Sequence, residues 1–204
     1  MVRIMRAAND LAIANAGYRR YDKPGPGLQE HVRPGARRYY VRLQCGHLNE
    51  ALPLVQEAGK NSTVQVLIAA CSSSAQTAFL HLTECVSGGI RHADFKKYVS
   101  SIRNRVAFHY DPGAIRAAIA DLAGRPDAPV PKVTVGTNID LWRFNVADDI
   151  EGSVVARQLW KIPRTADLTA EDDRISSFGS ALCRDFIEFA GQLSEAFVKH
   201  HVQA

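Results

Sequence analysis

The chain has little of what most chemistries or compartments require. It carries four cysteines in 204 residues, and none forms a CxxC pair. That leaves no framework for disulfides or a structural zinc site. Cys45, Cys71, Cys85 and Cys183 read instead as small apolar residues for a core. His81 with Cys85, and Cys45 with His47, offer ligand atoms without the tight paired spacing of zinc sites, so no metal is expected. No apolar run approaches the roughly 20 residues of a membrane span. The longest, Val66 to Cys71, ends in serines. Asn9 and Asp10 interrupt the N-terminal apolar pattern where a secretory signal needs continuity, so a cytoplasmic protein away from membranes is the expectation. Phosphate-cradling loops, HExxH, GxSxG and the dinucleotide fingerprint are all missing. No cofactor is expected.

What is present is an ordinary globular balance, 46% hydrophobic and 23% charged, with the charge unevenly placed. Residues 1–43 hold nine basic side chains against Asp10, Asp22 and Glu30, although the whole chain is only +4. A basic segment on a near-neutral body fits a polyanion-binding surface as well as a solvated helix face.

Helical periodicity dominates. The pattern predicts a short helix over 2–16, a loop from Tyr18 to Pro34, and helices over about 36–58, 63–86, 95–110 and 112–123. Asn61-Ser62-Thr63, Asp94 and Asp111-Pro112 offer caps, and Ser87-Gly88-Gly89 a stop. Residues 125–138 read as a connector. Trp142, Phe144 and Val146 alternate with polar residues, which leaves room for a short β-hairpin near 133–146. Helices then return over 147–162 and 171–200. In the last one, Ile175, Phe178, Leu182, Phe186, Phe189, Leu193 and Phe197 recur in steps of three and four, a core stripe. Together these give an all-α, up-and-down bundle of six to seven helices in a single domain. The acidic groups Asp148-Asp149-Glu151 and Asp172-Asp173 read as solvated helix N-termini.

The segment that carries chemistry is Ser101-Ile102-Arg103-Asn104-Arg105-Val106-Ala107-Phe108-His109-Tyr110-Asp111. Breaking an RNA strand without a metal needs a base for the 2′-hydroxyl, an acid for the leaving 5′-oxygen and a cation for the phosphorane-like state. His109 suits the proton transfers. Arg103 suits the cation, its planar fork matching phosphate oxygens. Asn104 orients phosphate or ribose without adding charge. Along a straight helix, however, Arg103 and His109 stand about 120° and about 9 Å apart. Either the helix kinks or ends before His109, or two protomers face each other across a two-fold axis. The second arrangement is the expectation. The structural alternative is that His109 is a core or capping histidine and that Arg103 and Arg105 snorkel beside the apolar stripe.

Arg103, the polar Asn104 after it and His109 closing the motif resemble the R-polar-x-x-x-x-H signature of the HEPN superfamily. The run RNRVAFHYD ahead of a proline-started helix is similar to its abortive-infection, toxin-like branch. The resemblance implies an α-helical bundle, a homodimer, and metal-independent endoribonuclease activity leaving a 2′,3′-cyclic phosphate. It further implies RNA as partner and a cognate antitoxin protein. Arg105 and Tyr110, with Arg37 and Arg38 in the basic segment, are then the candidate substrate contacts. The alternative is a catalytically silent helical module that binds nucleic acid, a nucleotide or a protein.

Overall fold

The computed structural model describes residues 1–23, 32–107, 111–124, 133 and 144–202. Among them there is no strand. The helices are α1 (Val2–Asp22), α2 (Arg33–Lys60), α3 (Ser62–Ala69), α4 (Ser73–Thr83), α5 (His92–Phe95), α6 (Pro112–Ala123), α7 (Asn145–Ser153) and α8 (Leu168–Val202). Among the described residues, three stretches of π-helix continue them: π1 (Lys96–Ser100), π2 (Arg103–Ala107) and π3 (Val154–Leu159). The result is an all-α bundle. No described helix is long and apolar enough to cross a membrane.

Ion pairs fix the directions of the long helices. Arg3 meets Glu57 at 3.1 Å at one end of the α1–α2 pair, and Arg37 meets Asp22 at 3.1 Å at the other, so α1 and α2 are antiparallel. Arg37 also holds Asp172 and Asp173, which brings the start of α8 beside the start of α2. On α4 and α8, Ser74 donates to Glu188 at 2.8 Å and His81 lies 3.3 Å from Asp185, so these two run in opposite directions. One hydrophobic cluster joins them, with the α8 stripe (Leu182, Phe186, Phe189, Leu193) almost wholly buried at its centre. A polar clasp crosses this core: Gln44 Nε2 and Ser180 Oγ each donate to Asn15 Oδ1 at 3.0 Å. It ties α1, α2 and α8 through hydrogen-bonded buried groups.

Several boundaries differ from the periodicity. The first helix continues through Tyr18, expected in a loop, because Tyr18 is buried and its hydroxyl donates to Asp22 at 2.7 Å. The helix expected over 63–86 is two. Asn61 caps α3 as its side chain suggested, but Ser72 breaks the run by accepting from the Ala75 N–H and starting α4 afresh. Gly88, at φ +90°, makes the turn after it. Asp94 caps nothing; helix starts at His92, two residues earlier. Asp111 does cap α6, accepting from Gly113 and Ala114 at 2.9 and 3.2 Å. The pairing envisaged over 133–146 lies largely outside the described residues, and its last two positions, Asn145 and Val146, already belong to α7.

Candidate nucleic-acid interface

The helix that carries the motif is irregular. From His92 to Ala107 it contains π1 and π2, with a single α-helical step at Ser101-Ile102 between them. Each i→i+5 closure adds a residue to its turn and rotates the downstream side chains by about one residue step, about 100°. Val99, Ile102 and Val106 stay in the core through this winding. Arg103, Asn104 and Arg105 lie on the outside. A straight-helix wheel therefore does not hold across this segment. His109 and Tyr110 lie outside the described residues.

The Arg103 side chain is 39% exposed. It donates to Asn104 Oδ1 at 3.2 Å and to Glu50 Oε1 on α2 at 3.1 Å. Asn104 is exposed. Arg105 turns away from both and meets Asp111 at 3.0 Å. That arginine and the Gly113 and Ala114 N–H groups hold the Asp111 carboxyl below the usual carboxylate range. Arg105 thereby ties π2 to the cap of α6.

The other two candidate contacts are elsewhere. Arg37, 9% exposed, sends its guanidinium into Asp22, Asp172 and Asp173 and lies over the Tyr18 ring at 5.5 Å. It precedes Glu50 by thirteen residues on α2, about 20 Å along the axis. Arg38 donates to the Asp148 carbonyl at 2.6 Å and approaches Asp149 at 4.0 Å. Arg42 meets Glu151 at 2.7 Å. The two acidic groups, read from sequence as solvated helix starts, are thus the counter-charges of α2's arginines. Beneath Arg38 and Arg42 lies a cavity of about 350 Å³ walled by Val41, Ile102, Val155 and Trp160.

Arg103 with Asn104 is therefore the part of the proposed set that comes together. No protein-family model, no curated protein and no solved structure matches this chain.

Beside the motif, the Asp10–His47 pair has no local sequence signal. His47 on α2 has its Nδ1 4.0 Å from Asp10 Oδ2 on α1, one helical turn before Glu50. These residues stand 37 apart in the chain, and only the α1–α2 register joins them. A tyrosine cluster did have a signal. Arg19-Arg20-Tyr21 and Arg37-Arg38-Tyr39-Tyr40 both contain Arg-Arg-Tyr, and the antiparallel pair brings their tyrosines together. Tyr21 and Tyr40 stack with centroids 5.8 Å apart and planes at 14°, and Tyr39 meets Tyr40 edge-on at 5.3 Å. Arg20 lies over Tyr21 at 5.9 Å and Arg42 over Tyr39 at 5.8 Å. Three aromatic rings thus follow one another across α1 and α2, with an arginine over the ring at each end.

Among the described residues, no three His, Cys, Asp or Glu side chains gather as a metal site. Burial pushes the Cys45 thiol up to about 12 and the Cys183 thiol well above its ordinary value, so both are inert core groups.

Proposed function

We propose that this protein is a metal-independent endoribonuclease of the HEPN type that cuts single-stranded or looped RNA. The observation that carries the reading is the phase of the motif helix. Val99, Ile102 and Val106 are sealed in the core, while Arg103 and Asn104 stand together outside, joined by a hydrogen bond. A guanidinium oriented by its neighbouring amide suits two oxygens of a phosphodiester. The ion pair with Glu50 is half-exposed, and such pairs contribute only about 0–1 kcal/mol. A phosphate can therefore replace Glu50 at little cost.

In the reaction, a His109 imidazole takes the 2′-hydroxyl proton and the 2′-oxygen attacks phosphorus. The bond to the 5′-oxygen breaks, and a second imidazole gives that oxygen its proton. The products are a 2′,3′-cyclic phosphate and a free 5′-hydroxyl. Two imidazoles come naturally from a homodimer with the two motifs facing each other. Growth arrest by such an activity fits a toxin or phage-defence role, with an antitoxin protein as partner.

The test uses purified protein and a single-stranded RNA in EDTA. Wild type is expected to cleave, whereas Arg103→Ala and His109→Ala do not. In cells, wild type arrests growth and both variants restore it. Equal growth for all three, with no cleavage in EDTA, would leave the second reading, a silent nucleic-acid-binding or protein-binding module. The carboxylate partner on Arg103 is the observation that favours that reading.

A further inference from the structure

We infer that Tyr39, backed by Tyr40 and Tyr21, is a stacking platform for unpaired bases of single-stranded RNA, at the basic end of the α1–α2 face that leads to Arg103. The inference rests on the chain being an RNA-binding protein and is independent of whether it cleaves.

A tyrosine beside a core normally buries its ring. Tyr39 is 48% exposed, although neighbours contact its ring on two sides. Arg42 lies over it at 5.8 Å and is itself held by Glu151, while Tyr40 braces it edge-on. Tyr40 is fixed in turn. It lies so close to Gly17 of α1 that a Cβ there would overlap its ring. The platform is thus rigid before any ligand arrives, which limits the entropy lost on binding.

The charge around it selects the ligand. Of the nine basic residues in 1–43, Arg3, Arg37, Arg38 and Arg42 are tied to carboxylates. Arg19 and Arg20, in the last turn of α1, form no ion pair with a carboxylate among the described residues, and Arg20 lies over the Tyr21 ring. One exposed ring, joined through the Tyr40–Tyr21 stack to the cation of Arg20, matches a polyanion that carries its own flat rings, which is single-stranded nucleic acid. A duplex keeps its bases stacked inside and offers nothing to Tyr39. The direction also fits. Tyr40 precedes Glu50, the partner of Arg103, by ten residues on one helix, about 15 Å along its axis. A strand seated on the platform can reach the Arg103-Asn104 pair through its backbone.

The experiment measures anisotropy of a fluorescein-labelled, unstructured twelve-nucleotide 2′-O-methyl RNA, which cannot be cleaved because the attacking hydroxyl is blocked. An abasic strand of the same length and charge serves as control. Tyr39→Ala is expected to weaken RNA binding roughly tenfold. Its binding of the abasic strand should be unchanged, and Tyr39→Phe should retain wild-type affinity. Arg20→Ala should weaken both strands and flatten the salt dependence. Binding of the RNA by Tyr39→Ala within twofold of wild type overturns the platform, as does an equal loss on both strands. A shift from dimer to monomer in sedimentation also overturns it, because the face would then join two copies of the chain. Cleavage of the unmodified strand is scored separately. An active Tyr39→Ala enzyme with normal binding sinks the platform and spares the nuclease. A base-dependent platform on a wild type that never cleaves does the reverse.

Discussion

The Arg103 guanidinium reaches from the π2 turn across to the Glu50 carboxylate on α2, closing at 3.1 Å. Glu50 is 68% exposed on its side chain, so this contact holds little of the fold. Its effect is on the anion that Arg103 would otherwise receive. Glu50→Gln keeps a hydrogen-bonding side chain and removes the competing charge. RNA affinity is expected to rise several-fold at low salt, with the urea midpoint within the range of about 0.5 kcal/mol typical of surface changes. A loss of cleavage in Glu50→Gln would instead make Glu50 an orienting group for Arg103.

Arg37 calls for the opposite experiment. Its buried fork holds three carboxylates, on α1 and α8, and so locks both helices to α2. Burial works against its charge, and Asp172 and Asp22 more than restore it, so the guanidinium is held above its already high ordinary value. Removing one partner of a buried ionic cluster leaves the rest uncompensated, at about 3–5 kcal/mol. Two of the three carboxylates are well exposed, so Arg37→Ala should fall near about 3 kcal/mol by urea unfolding. Arg37→Lys recovers little, because a single ammonium cannot reach all three. At temperatures where Arg37→Lys is folded, its RNA affinity should equal wild type. A phosphate-contact role for Arg37 predicts a clear loss there.

The fates of Arg37 and Arg103 mark where sequence reading reaches and where it stops. The α8 stripe and the Asp111-Pro112 start of α6 were legible because each is a local pattern, a period or a cap, that needs no partner elsewhere. The excess of arginine in residues 1–43 was legible as charge but not as destination. Arg38 and Arg42 find their acids more than a hundred residues away in α7, and Arg37 finds two of its three as far off in α8, and only the tertiary register selects them. The π turns of the motif helix were invisible for a related reason. The wheel assumes a fixed step, and nothing in RNRVA announces an added residue per turn. For the candidate site, Arg103 and Asn104 were legible by residue type and order, while their meeting outside the core, Glu50 and the Asp10–His47 pair depend on the winding of the motif helix and on which helices pack.

The Tyr18–Asp22 contact predicts how stability responds to pH at both extremes. Burial, reinforced by donation to Asp22, pushes the Tyr18 phenol up to about 12. Its folded value is raised above the unfolded value of about 10, so its contribution is complete below about pH 10 and is lost as pH rises through about 12. Asp22 behaves inversely. Burial raises its carboxyl, but the Tyr18 hydroxyl and Arg37 outweigh that and hold it below its ordinary value. Its contribution is present above about pH 4 and is lost as pH falls through the lower folded value. Ultraviolet titration should find a late-ionising phenol that Tyr18→Phe removes. The same variant should flatten the alkaline fall in unfolding midpoint while keeping an acid limb, since Arg37 still holds Asp22. An unchanged alkaline limb would show that the Tyr18 hydroxyl does not govern it.

Two glycine-to-alanine changes on long helices should move stability in opposite directions, for reasons visible only in packing. In a helix interior, alanine ordinarily gains about 0.5–1 kcal/mol over glycine by restricting the unfolded chain. Gly191 of α8 is exposed, and a Cβ there meets nothing within 4 Å, so Gly191→Ala should show that gain in full. Gly17 of α1 has equal helical standing, but its Cβ would overlap the Tyr40 ring. The ring must move, and doing so disturbs its stack with Tyr21 and its brace on Tyr39. Overpacking of this kind costs about 1–3 kcal/mol, more than the backbone gain, so Gly17→Ala should be net destabilising. Tyr40→Ala removes the obstacle. In that background Gly17→Ala should turn neutral or stabilising, a sign reversal read directly from a double-mutant cycle of urea midpoints. If Gly17→Ala costs the same with and without the Tyr40 ring, the close approach of α1 to α2 at this point is not what fixes the tyrosine cluster.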